Sequence, residues 1–314
     1  GLRAGQATDL MSSLLGLAGI TVSFEEASRQ IEQYLQVEVC ANTIRQETQR
    51  IGEKQAMKEQ TWIEQSQDLD YLQERERQPK GPKRMYGSID GAYVPLEEEW
   101  KEAKTVSWYQ VGPRYGQKEL HAHEIAYYTS LEPVETFGSL LWGTSVHHQT
   151  DRAEELIFVC DGAAWIWKLV THYFPNAVQI VDWYHASQYL HAVAEALSLS
   201  QAEMDNWLNE MKTLLWEGQV ELIIKACRTL ENQIGHPAER LISYYTNNLD
   251  RMQYAHFRAK GYFIGSGTVE SACKQIVSMR LKRSGARWTL QGASLTAKAR
   301  TAWLSNSWHS VTQL

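Results

Sequence analysis

The sequence predicts an α/β protein in which a mixed sheet flanked by helices is joined by an all-helical insertion and preceded by a helical N-terminal region. Three observations carry this expectation. Short β-branched and aromatic runs alternate with helix-periodic stretches between residues 85 and 182. From 186 to 260 apolar positions recur at three- and four-residue steps, with no strand-like alternation. Before residue 53, a helix-like stretch follows a capping-type serine and a second one follows a short break.

Taken in order, Ser23 precedes the first of these helices, Phe24 to Leu35, and the second starts near Ala41 or Asn42. Two helices with a tight connection fit a helix-turn-helix. The recognition helix would then carry Asn42, Thr43, Arg45, Gln46, Thr48 and Arg50, polar types that reach base edges or phosphates. Any amphipathic helix pair gives the same pattern, so plain packing is the alternative. Residues 54–84 read as a charged helix running into a Pro/Gly-punctuated linker, which sets a boundary after a 1–53 region.

The first part of the core, 85–185, is expected as strands at 85–94, 104–111 and 122–130, a helix at 135–148, a strand at 156–160, a helix at 164–173 and a strand at 177–182. The helical insertion fills 186–260, and 261–314 completes the core.

Three carboxylates stand out within this frame. Asp90 in MYGSIDGAYVP and Asp161 in LIFVCDGAAW each end an apolar run and precede Gly, as on strands delivering a side chain to a sheet edge. Asp-Gly is also an ordinary turn, so neither acid is decisive alone. Glu270 follows the turn-rich GYFIGSGT, and Cys273, Ile276, Val277 and Leu281 then recur at helical spacing, which places it in the first turn of a helix. Carboxylate oxygens suit Mg²⁺ or Mn²⁺, and a pair of such ions activates the attacking oxygen and stabilises the leaving one in phosphodiester cleavage. A further strand brings Asp182, three residues before His185. That spacing at a strand-to-helix junction lets the two side chains approach, with Asp182 orienting His185, or merely caps the next helix.

The ordered set Asp90, Asp161, Asp182-Trp183-Tyr184-His185 and Glu270 resembles a DDE transposase of bacterial insertion sequences. The likeness is to the ISKra-type group, related to Mutator-like elements, with the signature D…D…(C/D)xxH…E. It covers roughly 85 to 300 and includes DGAYVP, FVCDGAAWIW, VDWYHASQYL and GTVESACKQIVSMRLKRSGARWT. The resemblance implies an RNase H-like fold, a catalytic and metal-binding triad of Asp90, Asp161 and Glu270 holding two Mg²⁺ or Mn²⁺ ions, and an accompanying Asp182–His185 pair. It also implies DNA, as element ends and target, for the partner, strand cleavage followed by strand transfer, and a homo-oligomer on DNA. A catalytically silent DNA-binding remnant and an RNase H-like nuclease without strand transfer are the alternatives.

Composition is compatible with an enzyme acting inside the cell, in the cytoplasm and at the nucleoid. The chain has 314 residues, enough for a sizeable core, and 43% hydrophobic content. Cys40, Cys160, Cys227 and Cys273 form no CxxC pair, which argues against a disulfide framework or a zinc knuckle. No apolar run reaches the length of a membrane span, and no leader is visible. The opening GLRAGQATDL lacks an initiator Met, which suggests processing or a truncated frame.

A net charge of −6 argues against DNA until its distribution is considered. After Glu270 there is no acid, whereas Lys274, Arg280, Lys282, Arg283, Arg287, Lys298 and Arg300 add seven positive charges. Lys274, Arg280, Lys282, Arg283 and Arg287 are therefore expected on DNA with Arg45 and Arg50, and Trp288, Trp303 and Trp308 are available for stacking or packing. Glu97-Glu98-Glu99 reads as a solvated loop, and His121, His123, His147 and His148 lack the further ligand a zinc site needs. The absence of GxxxxGK[ST] disfavours an ATP-driven helper.

Overall fold

The computed structural model describes residues 8–77, 79–113, 120–265 and 267–313, with the side chain of Val269 excepted. Strands β1 (Arg84–Pro95), β2 (Trp100–Pro113) and β3 (Leu120–Ser130) form an antiparallel meander. Strands β4 (Glu155–Cys160) and β5 (Val178–Val181) extend it in parallel from β1, giving the order β3-β2-β1-β4-β5. The sheet is mixed because each parallel strand needs a crossover, and the sequence supplies helices there. These are α5 (Val134–His147) before β4 and α6 (Ala164–Tyr173) between β4 and β5. Phe137, Leu141, Phe158, Val170 and Ile180 are all buried in the core so formed. The architecture, a mixed five-stranded sheet flanked by helices, is consistent with an RNase H-like transposase fold.

To label the helices in chain order, four precede the sheet: α1 (Asp9–Thr21), α2 (Phe24–Leu35), α3 (Ala41–Gln65) and α4 (Leu69–Glu76). The insertion contains α7 (Trp183–Ala196), α8 (Gln201–Trp216), α9 (Val220–Ile234), α10 (His236–Asn247) and α11 (Tyr254–Ala259). Then come α12 (Gly267–Cys273), a π-helical stretch over Lys274–Leu281, α13 (Leu290–Leu304) and α14 (His309–Thr312).

The insertion is welded to the sheet, since Leu190, Leu215, Ile223, Leu241 and Tyr245 continue the same apolar cluster. Two buried phenols reinforce the joint. Tyr245 of α10 donates to Ala186 O of α7 at 2.9 Å and Tyr254 of α11 to Val181 O of β5 at 2.9 Å, so one buried hydroxyl is satisfied between helices and the other where a helix meets the sheet. A second cluster joins Val94, Ala103, Tyr127 and Leu131 to Ala272, Ile276, Val277 and Leu281, which fixes α12 against the strands. The bond from Lys282 N to Val277 O, 3.0 Å, spans five residues, as a π turn requires.

The helix starts follow local capping. Ser23 accepts from Glu26 N at 3.2 Å and opens α2, and α3 begins at Ala41. The boundary expected between residues 53 and 54 falls inside α3, an unbroken helix of 25 residues. Charged residues line its outer face, but Ile51, Gly52, Gln55 and Glu59 are buried, a stripe at near four-residue steps. α13 approaches closely at Gly52, where a Cβ would lie 2.0 Å from Leu295 O. Buried Glu59 pairs with Lys298 of α13. Further along, α4 is tied to the core by Arg75, whose guanidinium meets both oxygens of Asp151 at 3.0 Å and Val146 O at 2.7 Å. The stretch expected as a charged helix running into a linker is thus helical to Gln65 and again over Leu69–Glu76, and it is packed against the rest of the chain.

Candidate active site

Strand register brings the acids together. Gly87 of β1 lies opposite Phe158 of β4, and Cys160 of β4 opposite Val181 of β5. Asp90 and Asp161 each follow three residues beyond the first pair, while Asp161 and Asp182 each come one residue after the second. Three neighbouring strands therefore deliver an aspartate at matching heights. In open α/β sheets this carboxyl-end edge is where ligands bind.

Asp182 is fully buried and caps α7, accepting His185 N at 2.9 Å. The same oxygen lies 3.3 Å from His185 Nδ1, so capping and orientation of the imidazole coexist. Glu270, in the first turn of α12, approaches from across the edge. Its Oε1 stands 3.4 Å from His185 Nδ1. The hydrogen bond from Asp182 raises the His185 pKa above its ordinary value against the effect of burial, and the charges of Asp182, Glu270 and Asp161 add to the rise.

Asp161 accepts Ala163 N at 2.9 Å, a short turn that launches α6. Gly162 makes that turn possible, with φ +92° and no room for a side chain, since a Cβ would lie 2.5 Å from Tyr244 Oη. Tyr244, from the insertion, donates to Asp161 O and so pins this backbone. Asp90 accepts Gly91 N at 2.7 Å. Burial pushes its pKa up, bonds from the Cys273 thiol and Gly91 N–H oppose that, and Asp161 adds a further upward push. The Cys273 thiol is itself held protonated, first by burial and then by the Asp90 charge.

Among the described residues, the group whose ligand atoms all lie within 4.8 Å of one another is Asp182, His185 and Glu270. The triad expected from sequence was Asp90, Asp161 and Glu270. Asp90 and Asp161 belong to the same electrostatic site, since both act on His185 or on each other. Oxygen donors crowded around one imidazole suit a divalent cation, which would relieve the repulsion among the acids.

The expected DNA-contacting cations divide into two sets. Lys274, Lys282, Arg283, Arg287 and Arg45 are exposed. Arg280 is only 2% exposed, donates to Gly19 O at 2.7 Å and lies over the rings of Phe24 and Trp288 at 4.5 and 4.9 Å, so it is not on a surface that DNA would meet. Arg50 is held by Glu47 and Ser12, and Thr48 is buried against Ile44 O. Trp288 and Trp308 are buried packing anchors, whereas Trp303 is 44% exposed. Arg45, Arg283 and Arg287 border one hollow of about 440 Å³ beside the start of α13.

Sequence reading did not anticipate the Glu270–His185 contact, the Cys273 thiol on Asp90 or the Tyr244 bond to Asp161. Each joins residues remote along the chain, with no local pattern to mark it.

Residues 141–234 match a family model for DDE transposases of the ISL3 type, described as a transposase. This supports an insertion-sequence transposase. The matched stretch contains Asp161, Asp182 and His185, while Asp90 and Glu270 lie on either side of it. No curated protein matches the chain. Among the described residues no helix is long and apolar enough to cross a membrane.

Proposed function

We propose that the chain is a DDE transposase that cleaves a DNA strand and transfers the new 3′-hydroxyl end to target DNA. The observation that carries the reading is the convergence of Asp90 from within β1 and of Asp161 and Asp182 from the ends of the adjacent β4 and β5 with Glu270 and His185. Such an edge presents hard anionic donors to a phosphodiester.

Divalent cations held by Asp90, Asp161 and Glu270 would supply activation of the attacking oxygen and stabilisation of the leaving one. Asp182, buried and fixed as a helix cap, orients His185 through Nδ1. His185 in turn bridges to Glu270, so the imidazole couples a strand-borne acid to the helix-borne one. Tyr244 and Gly162 hold the Asp161 backbone in the turn that aims its carboxylate. The Asp182–His185 pair supports the ISKra-type, Mutator-related placement.

Exposed Lys274, Lys282, Arg283 and Arg287 follow the catalytic Glu, and Arg45 joins two of them at one hollow. We assign these to phosphate contacts, with the first turns of α3 presenting Asn42, Arg45 and Gln46 to DNA. A homo-oligomer acting on paired element ends fits this chemistry. Incubating the chain with labelled duplex that carries the DNA flanking its reading frame, with and without Mg²⁺, tests the reading. Metal-dependent nicking and joined product are expected, and nicking without joining would favour the nuclease alternative.

A further inference from the structure

A wide cleft lies outside the carboxylate cluster. It holds about 1000 Å³ between α6 and α10 and is bordered by Trp167, Lys168, His172, Tyr244 and Arg251. A smaller hollow of about 250 Å³ contains Asp161 and His185. Tyr189, His236 and Arg240 line both, so the two form one path leading away from the acids.

This path has the chemistry of a nucleic-acid strand site. Lys168, His172, His236 and Arg240 are exposed along it, and neither Lys168, Arg240 nor Arg251 makes an ion pair among the described residues. Among the described residues lining the larger cleft, Glu239 is the one carboxylate. Aromatic faces accompany the charges. Tyr189 stacks on Tyr244 at 4.0 Å, Arg240 stands 5.8 Å from the Tyr189 ring, and Arg251 lies over Trp167 at 4.8 Å. Trp167, which lines the cleft, is 95% buried, with an indole N–H that has no hydrogen-bond partner among the described residues.

Cationic side chains interleaved with ring and guanidinium faces are what single strands use: the charges follow the backbone and the flat faces stack on unpaired bases. A duplex keeps its base faces inside and has no use for such platforms. Resting on the transposase reading above, we propose that this cleft binds unpaired nucleotides next to the scissile phosphate. Tyr189 is the stacking platform, and Lys168 with Arg240 forms the backbone contacts. The helical insertion, through α7 and α10, thus supplies the strand-holding wall of the site.

The test measures binding of the full chain to a fluorescent oligonucleotide, as a single strand and as a duplex of the same sequence, in EDTA so that cleavage does not contribute. For the wild-type chain we expect single-strand binding. Tyr189→Leu should lower that affinity on the order of tenfold without altering its salt dependence, as loss of one stacked base would. Lys168→Gln with Arg240→Gln should flatten the log–log salt slope by about 1.4, at about 0.7 for each lost single-strand phosphate contact. Both variants should still melt cooperatively above the assay temperature, with Tyr189→Leu somewhat lowered by the lost stack on Tyr244, and Tyr189→Phe should restore both binding and melting temperature.

Absence of single-strand binding by the wild type, or equal binding by both variants, would overturn the cleft assignment. Metal-dependent cleavage that persists in that case would leave the transposase reading intact. Strand binding without any cleavage would undermine that reading while retaining the cleft.

Discussion

His185 Nδ1 lies 3.4 Å from Glu270 Oε1 and joins a residue at the start of α7 to one in the first turn of α12. Because the same nitrogen is 3.3 Å from Asp182 Oδ1, one imidazole connects two acids that arrive from different parts of the chain. Cap and contact make separable predictions. His185→Ala leaves the backbone N–H that Asp182 caps, so the melting temperature should be little changed while DNA cleavage falls strongly. Melting and cleavage measured on the same variant decide, and a destabilised but fully active variant would reduce His185 to a structural role.

Asp90 should carry a cost in stability. Its carboxylate is desolvated and faces the charge of Asp161, and both effects raise its pKa. Asp90→Asn should therefore stabilise the fold by about 1 kcal/mol while abolishing cleavage, the trade-off expected of an active-site charge. Added Mg²⁺ should raise the wild-type melting temperature by binding the native state and should have less effect on the variant. Thermal melts with and without the ion are the check.

Acid sensitivity has a different source. Burial lowers the pKa of His148 from 6.5 to about 4, and its ring bonds the Tyr128 hydroxyl at 2.6 Å. The unfolded chain therefore binds a proton below pH 6.5 that the folded chain refuses until about pH 4. Stability from this group is fully present above pH 6.5 and is lost as pH falls toward 4, by about 1–3 kcal/mol. In His148→Gln that part of the decline should disappear, as denaturant titrations across the window would reveal.

Arg75 and Asp151 form an enclosed pair, with side chains 7% and 11% exposed. Removing one member strands the other charge, so Arg75→Ala should cost about 3–5 kcal/mol, whereas Arg29→Ala at an exposed pair should cost under about 1 kcal/mol. Comparison of the two by urea unfolding tests whether α4 is an integral part of the core.

Replacing Lys282, Arg283 and Arg287 with Gln should reduce the slope of log affinity against log salt for duplex DNA by up to about 2.7, at about 0.9 for each lost contact. An unchanged slope would place these exposed cations on a purely solvated face.

The sheet and its crossovers were legible because period-2 and period-3.6 patterns are local. Helix α6 was expected at 164–173 and spans Ala164–Tyr173, and the capping serine at 23 marked the start of α2. The run from 54 to 84 was not legible as packed structure, because Gln55 and Glu59 occupy buried positions and polarity alone suggested solvent. Their burial depends on Gly52 and Lys298, a tertiary pairing that no short window contains. In the site, the acids could be singled out because the ends of apolar runs and a helix start are local signals. How they group could not, since it depends on the β1-β4-β5 register and on where α12 docks. Arg280 was read as a surface cation for the same reason: its sequence neighbours are basic, but Phe24 and Trp288 enclose it.

The most direct test of the account compares the wild-type chain with Asp161→Asn in Mg²⁺-dependent cleavage of labelled duplex. The substitution removes an anionic ligand at nearly constant volume and keeps an oxygen that can accept Ala163 N. Cleavage should fall on the order of a hundredfold or more, with melting temperature and DNA affinity nearly unchanged. Undiminished cleavage by the folded variant, or equal cleavage by both proteins in EDTA, would contradict it.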